Sequence, residues 1–300
     1  MNKALEKDLQ LFKRVVDRVK SYVKEHDNVV EFRKLKANEE VVSNYLIVDS
    51  SLNLDDSSLA SPSSSLFKVL ASGSFQFNMN WTDLFKMFKS LTIVSKSKIV
   101  KSKVLDVGCK FSDFALFCYR NRVDIEYHGI DIDFYELLKS AENNYTTSSS
   151  YFYCLNVNED FKNFLIVQKF DFILMFDIVE HVGSKRKGIN LLKKAFDLLS
   201  DGGELHITTP NAIDGEIQYP NDHLYEFELQ ELKDALLEIG FKTLKVNGTN
   251  CLERHLKKCP EDKVHLLNNG YLSSIIGCRN ASIATEIPEI NRHVFIRAIK

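Results

Sequence analysis

The chain has 300 residues, 44% of them hydrophobic and 27% charged, which is the balance of an ordinary soluble globular protein with room for one large domain and an appendage or two modest ones. A net charge of −2 removes any global pull toward nucleic acid, although a local basic patch would suffice for contact. The opening MNKALEKDLQLFKRVV lacks the apolar core of a signal peptide, and no apolar run reaches the roughly 18–20 residues of a membrane span, so a cytoplasmic protein is expected.

Leu5, Leu9, Phe12, Val15, Val16, Val19 and Val23 recur at three- and four-residue steps and predict an amphipathic helix over 4–25. It either packs on the domain or serves as a lid or dimerisation helix. Residues 41–49 read as a short strand, and the serine-rich run 55–65 is too polar to bury, hence a loop. A helix over 81–94 follows. Lys96, Lys98, Lys101 and Lys103 then lead into the first core strand, either as a solvated approach or as a phosphate contact. Residues 1–95 thus form an N-terminal extension, packed on the core or covering a substrate, and 96–300 form the main domain.

From 103 onward strands and helices alternate. The expected order is strand 103–107, helix 112–122, strand 125–131, helix 134–143, strand 151–155, strand 170–176 and helix 186–199. Strand 204–208, helix 227–239 ended by Gly240, strand 241–247 and strand 293–298 complete it, with an insertion at about 249–290. Phe170 to Phe176 is almost wholly apolar, as a strand covered on both faces must be. Such alternation predicts an α/β fold, a doubly wound, mostly parallel sheet of seven strands with an N-terminal helical extension. The six cysteines show no CxxC and no zinc-like spacing, which fits reduced thiols.

Three strand ends carry polar residues that suit a ligand, since in such sheets the crevice lies outside the carboxyl ends of the strands. The first is Val104-Leu-Asp-Val-Gly-Cys109, where Gly108 permits a sharp turn close to a ligand. The second, Tyr127-His-Gly-Ile-Asp-Ile-Asp133, ends in Asp131, placed to hold two ribose hydroxyls. The pair points to an adenosine-containing cofactor. Gly108 is the lone glycine of its loop, where a dinucleotide pyrophosphate asks for GxGxxG, so a cofactor with an amino-acid carboxylate fits better. Asn156 either reads an adenine edge or caps a turn. The third end is Asp177-Ile-Val-Glu-His-Val182. A helical turn there would put Asp177, Glu180 and His181 on one face, with His223 as a further donor. That set suits a divalent metal, a general base, or the shaping of a pocket.

With VLDVGC, YHGIDID, FDFILMFDIVEHV, LLKKAFDLLSDGGELHITTPN and HLYEFELQELKDALLEIGF in that order, the chain resembles a class I S-adenosylmethionine-dependent methyltransferase, with its Rossmann-like fold. The resemblance covers roughly 100–247. It implies that Asp106, Gly108 and Cys109 line the methionine end of S-adenosylmethionine, that Asp131 binds the ribose, that Ile132 packs on the adenine and that Asn156 stands near it. It further implies that Asp177 lies beside the methionine moiety and that Glu180 and His181 face the substrate. Lys110 and Ser112 depart from the pattern, because they occupy the second and third glycine positions of Gly-x-Gly-x-Gly.

Within that class, the Glu-His pair and the later histidine resemble both ubiquinone-type small-molecule O-methyltransferases and small-RNA terminal 2′-O-methyltransferases. A small-molecule acceptor methylated at oxygen ranks first, with His181 or His223 as the base and Glu180 beside them. Metal-assisted methylation of a nucleic acid or nucleotide is the alternative, with Asp177, Glu180, His181 and His223 as ligands. A catalytically degenerate scaffold is a third reading.

Overall fold

The computed structural model describes residues 28–35, 41–50, 101–120, 123–142, 150–158, 168–213, 215–217, 223–250 and 293–300, together with Arg14, Asp17, Lys20, Ser21, Leu52, Pro288 and Asn291. They fall into two compact units, one within 1–78 and 105–161, the other within 79–104 and 162–300. The serine-rich run 55–65, the helix expected at 81–94, Lys96, Lys98 and most of the 249–290 insertion lie outside the described residues.

The first unit contains β1 (Val29–Leu35), β2 (Val41–Val48), β3 (Ser102–Val107, entering this unit at Leu105), α1 (Asp113–Arg120), β4 (Ile125–Asp131), α2 (Phe134–Glu142) and β5 (Ser150–Cys154). Its strands run in the order β1-β2-β5-β4-β3. β5 is parallel to both β2 and β4, while β1 is antiparallel to β2. The residues from Val104 to Val107 are all buried, as expected of a strand covered on both faces. α2 starts where Oδ1 of Asp133 accepts the N–H groups of Tyr135 and Glu136 at 2.9 and 3.0 Å. Phe134, Leu137, Leu138 and Ala141 form its buried stripe. The amide of Asn44 then donates to Ala141 O, satisfying a carbonyl at the helix end. Of the helix expected over 4–25, Arg14, Asp17, Lys20 and Ser21 are described and helical, and the Lys20 ammonium lies 5.5 Å from the Tyr135 ring centroid.

The second unit contains β6 (Phe170–Phe176), a single 3₁₀ turn (Val179–His181), α3 (Lys185–Leu198), β7 (Leu199–Pro210), α4 (Leu229–Ile239), β8 (Thr243–Asn250) and β9 (His293–Ile299). Strand order is β6-β7-β9-β8, with β6 and β7 parallel and β9 antiparallel to both its neighbours. Ser184 caps α3, its Oγ accepting from the Lys187 N–H. Gly240, at φ 122°, ends α4. β7 is longer than the expected 204–208. It begins at Leu199 and takes Asp201-Gly-Gly203 into a register shift opposite β6. A Cβ on Gly203 would lie 2.9 Å from Ser200 O, which is why the bulge needs glycine there.

The expected α/β class with mostly parallel strands is what the structure contains, but nine strands are described where seven were expected. Val41–Val48 joins a sheet through β5, and Val29–Leu35, not anticipated as a strand, pairs with it. No described helix is long and apolar enough to cross a membrane.

One buried ionic group stands inside the second unit. Arg297 on β9 donates through Nε to Oε2 of Glu204 at 2.6 Å and through Nη2 to Oε1, and His206 Nε2 lies 3.0 Å from Oε2. Burial alone would raise the Glu204 carboxyl, but Arg297 and His206 outweigh it and hold it at about 2. Burial also pushes the His206 imidazole below its ordinary 6.5. Both groups therefore bind fewer protons folded than unfolded on the acid side, so their contribution falls as the pH falls. The His206 part starts to go below 6.5, and the Glu204 part goes between the ordinary 4.5 and about 2. Arg297→Met leaves a buried carboxylate without its partner and should cost ~3–5 kcal/mol in urea unfolding at neutral pH, and the double variant Glu204→Leu/Arg297→Met should regain most of it.

Candidate functional site

In the first unit the cofactor-side residues collect around the ends of β3 and β4. After β3 the N–H groups of Gly108 and Cys109 both donate to Ile130 O, at 2.8 and 3.0 Å. The Lys110 N–H donates to Oδ2 of Asp131 at 2.8 Å, and the Asp133 N–H donates to Oδ1 at 3.0 Å. The carboxylate at the end of β4 is thus held by the glycine-position loop itself. That loop has a regular conformation: Gly108, Lys110 and Ser112 lie at φ 76°, 47° and 58°. The second and third glycine positions therefore keep the left-handed backbone without the glycines. Lys110 is exposed, whereas Ser112 is wholly buried.

The remaining cofactor-side residues divide. Asp106 is buried and accepts from Tyr127 OH at 2.8 Å. Ile132 is 39% exposed. Asn156 caps a turn, its Oδ1 accepting from the Asn158 N–H at 3.0 Å. Cys109 turns its side chain inward, where a Cβ on Gly129 would lie 2.7 Å from its Sγ, and burial pushes its thiol far up. Its contribution to this loop is therefore through the backbone. Cys118 and Cys154 are also buried free thiols.

In the second unit Glu180, His181 and His223 come together, with one donor atom from each lying within 4.8 Å of the others. Glu180 is buried at 1% exposure and its Oε2 accepts from Thr209 Oγ1 at 3.1 Å. His181 is exposed, and its ring meets that of His223 edge-on at 4.7 Å. Nδ1 of His223 lies 2.6 Å from Oε1 of Glu226, whose side chain is fully buried.

Asp177 is not in this group. The expected helical turn covers only 179–181, and Asp177 precedes it at φ 55°, outside helical geometry. Its N–H donates to Thr208 O, and its Oδ1 takes Thr208 Oγ1 and His293 Nε2, each at 2.8 Å. The four-ligand set of Asp177, Glu180, His181 and His223 is thereby reduced to three.

The loop carrying His223 is anchored independently. Ala212 N–H donates to Phe227 O, Leu229 N–H donates to Oδ1 of Asn211, and Nδ2 of Asn211 donates to Asn291 O. Tyr225 OH donates to Glu231, which also pairs with Lys185. Phe227 packs where a Cβ on Gly188 would come within 2.9 Å of its ring.

Sequence reasoning missed Glu226, Thr208, Thr209, Asn211 and His293. Glu226 stands three residues from His223, a spacing that was legible. His293 lies 116 residues from Asp177, and no local pattern marks it.

Residues 81–246, more than half of the chain, match the family model described as a methyltransferase domain. The chain belongs to that family, the class I S-adenosylmethionine-dependent methyltransferases its motifs resemble. No curated protein matches the sequence. Among solved structures, the N-methyltransferase NodS from Bradyrhizobium japonicum WM9, in complex with S-adenosyl-L-homocysteine, is similar in fold, with a TM-score of 0.50. It is 10% identical over 75% of this chain and 91% of its own. A methyltransferase from Archaeoglobus fulgidus is 16% identical over 73% and 94% of the two chains, with a TM-score of 0.47. Phosphoethanolamine N-methyltransferase 2 of Haemonchus contortus is 17% identical over 75% of this chain, with a TM-score of 0.46. This chain spans 58% of that enzyme's length.

The left-handed loop yields a stability prediction. Lys110→Gly should be neutral or stabilising by up to ~1 kcal/mol, since φ 47° suits glycine, and Lys110→Val should cost ~1–2 kcal/mol. The midpoints of urea unfolding check both.

Proposed function

We propose that the chain transfers a methyl group from S-adenosylmethionine to an oxygen atom of a small-molecule acceptor. The observation that carries this reading is the convergence of Glu180, His181 and His223, with His223 set against a buried carboxylate.

The first unit's residues fit the cofactor chemically. Asp131 offers a carboxylate for the ribose hydroxyls, and the loop from Gly108 to Ser112 keeps the backbone of a glycine-rich turn beside it. Asp106, Gly108 and the Cys109 backbone suit the methionine end. The exposed Ile132 suits the adenine, and Asn156 keeps its amide nitrogen for the base edge. When bound, the sulfonium supplies an activated methyl group.

The second unit's residues handle the acceptor. His223 takes the hydroxyl proton as the acceptor oxygen forms its bond to the methyl carbon and the methyl–sulfur bond breaks, leaving the electron pair on sulfur. His181 and Glu180 orient the acceptor beside it. The net charge of −2 and the lack of a recognisable RNA-binding module in the sequence favour a small molecule.

A second reading rests on the same three donors. One carboxylate and two imidazoles suit a divalent metal, which would lower the pKa of a nucleotide or nucleic-acid hydroxyl. Glu180, His181 and His223 would hold it.

Calorimetry with S-adenosylmethionine should show binding, and Asp131→Ala should weaken it about tenfold or more through loss of charged hydrogen bonds. His223→Ala should lower methyl transfer to catechols by about 10²–10⁴-fold, with activity unchanged by chelators. Abolition by chelators, with oligonucleotide binding that falls steeply with salt, would replace this reading by the second.

A further inference from the structure

We infer that Glu226 is a positioning residue which fixes the tautomer of His223, so that Nδ1 carries the proton and Nε2 is presented to the acceptor. The inference deepens the proposed methyl transfer and rests on it only for its kinetic consequence.

The geometry singles out one ring nitrogen. Oε1 of Glu226 lies 2.6 Å from Nδ1 of His223, the separation of a strong, charge-assisted hydrogen bond. With Glu226 Oε1 as the acceptor of this bond, the hydrogen sits on Nδ1. In the neutral ring Nε2 then carries the lone pair, and it alone can take a proton or a ligand.

The loop that carries Glu226 has several anchors of its own. That segment is tied down by Phe227 O on Ala212 N–H, by Asn211 on Leu229 N–H, and by Tyr225 on Glu231. Phe227 fills the space left by Gly188. Yet the Glu226 side chain is fully buried, and burying a carboxylate is costly unless it is bonded to a donor. One contact that the carboxylate adds is the one to His223.

The neighbouring group shows the same plan. Glu180 is also buried, and Thr209 Oγ1 fixes its Oε2, so both buried carboxylates near the histidine pair have defined orientations. Only His181 is exposed. The edge-on contact of the two rings further restricts rotation of His223 about its side-chain bonds. A ring held at one nitrogen and crowded on one side presents the other nitrogen in a fixed direction.

The test uses the full-length protein labelled with ¹⁵N-histidine, in a pH series carried upward until the His223 ring ¹⁵N shifts no longer change. His223 is assigned by its absence in His223→Gln. Wild type should show protonated Nδ1 and unprotonated Nε2 at His223. Glu226→Ala should move the ring toward the Nε2-protonated tautomer, the form favoured by an imidazole without such a partner. Glu226→Gln, which keeps the volume, should lower kcat by about 10–100-fold with little change in the cofactor KM. An Nε2-protonated ring in wild type, or an unchanged tautomer in a folded Glu226→Ala protein, would overturn the inference. The tautomer is read without any turnover, so a failure to methylate small molecules strikes the proposed function and leaves this result standing.

Discussion

Thr208 and Thr209, consecutive residues near the end of β7, donate hydroxyl protons to Asp177 and Glu180, and Asn211 then joins the N-terminus of α4 to Asn291. Adjacent strand residues point to opposite faces, so two neighbouring hydroxyls serve two different carboxylates without competing. The strand that carries them lies between β6 and β9 and is buried from Gly203 to Pro210. A site hung on such a strand inherits its rigidity. The carboxylate orientations, the strained Asp177 backbone and the entry to α4 all depend on the register in which β7 meets β6 and β9. A slip of one residue would exchange the two faces and undo every one of these bonds.

The same strand keeps stability and chemistry apart along its length. Glu204 and His206, in its middle, close a buried ionic group with Arg297, while Thr208 to Asn211, at and just past its end, serve the polar side chains of the site. In the antiparallel pairing His206 faces Arg297 and Pro210 faces His293. β9 therefore supplies a cation to the ionic group and an imidazole to Asp177. The glycine bulge at 201–203 lies before both, where it sets the register without touching either. Glu204 and Thr208, four residues apart on one strand, are separated by about 13 Å, while His206 lies between them on the same face.

What was legible in the chain follows from how locally each feature is determined. The helices and buried strands between 103 and 247 could be read because their apolar spacing is a local property. Glu180, His181 and His223 could be named because two of them are neighbours and the third sits in a polar segment after a strand end. Val29–Leu35 could not be recognised as a strand, since with Val30 inward and Glu31 and Arg33 outward it is made one by its partner β2. The i, i+3, i+4 spacing groups Asp177 with Glu180 and His181 on a helical turn, but the turn is too short and starts too late. The bond from His293 depends on a strand pairing across 116 residues, which no spacing rule carries.

The loop after β3 shows what a glycine motif encodes. The family pattern asks for glycine at three alternate positions, and a reading by residue type finds one. The backbone nevertheless takes the left-handed conformation at all three, with Lys110 and Ser112 each bearing a strain of about 1–2 kcal/mol. Such strain persists when surrounding bonds over-determine the conformation. Here the Lys110 N–H is fixed by Asp131, the Ser112 N–H by Cys109 O, and Gly108 and Cys109 by Ile130 O. The requirement is thus a direction of backbone N–H groups around the β4 carboxylate. Glycine meets it at the lowest cost, but a solvent-facing lysine and a small buried serine meet it as well. Gly108 and Asp131 are accordingly parts of one hydrogen-bonded unit, and substitution at the intervening positions alters its stability before it alters its shape.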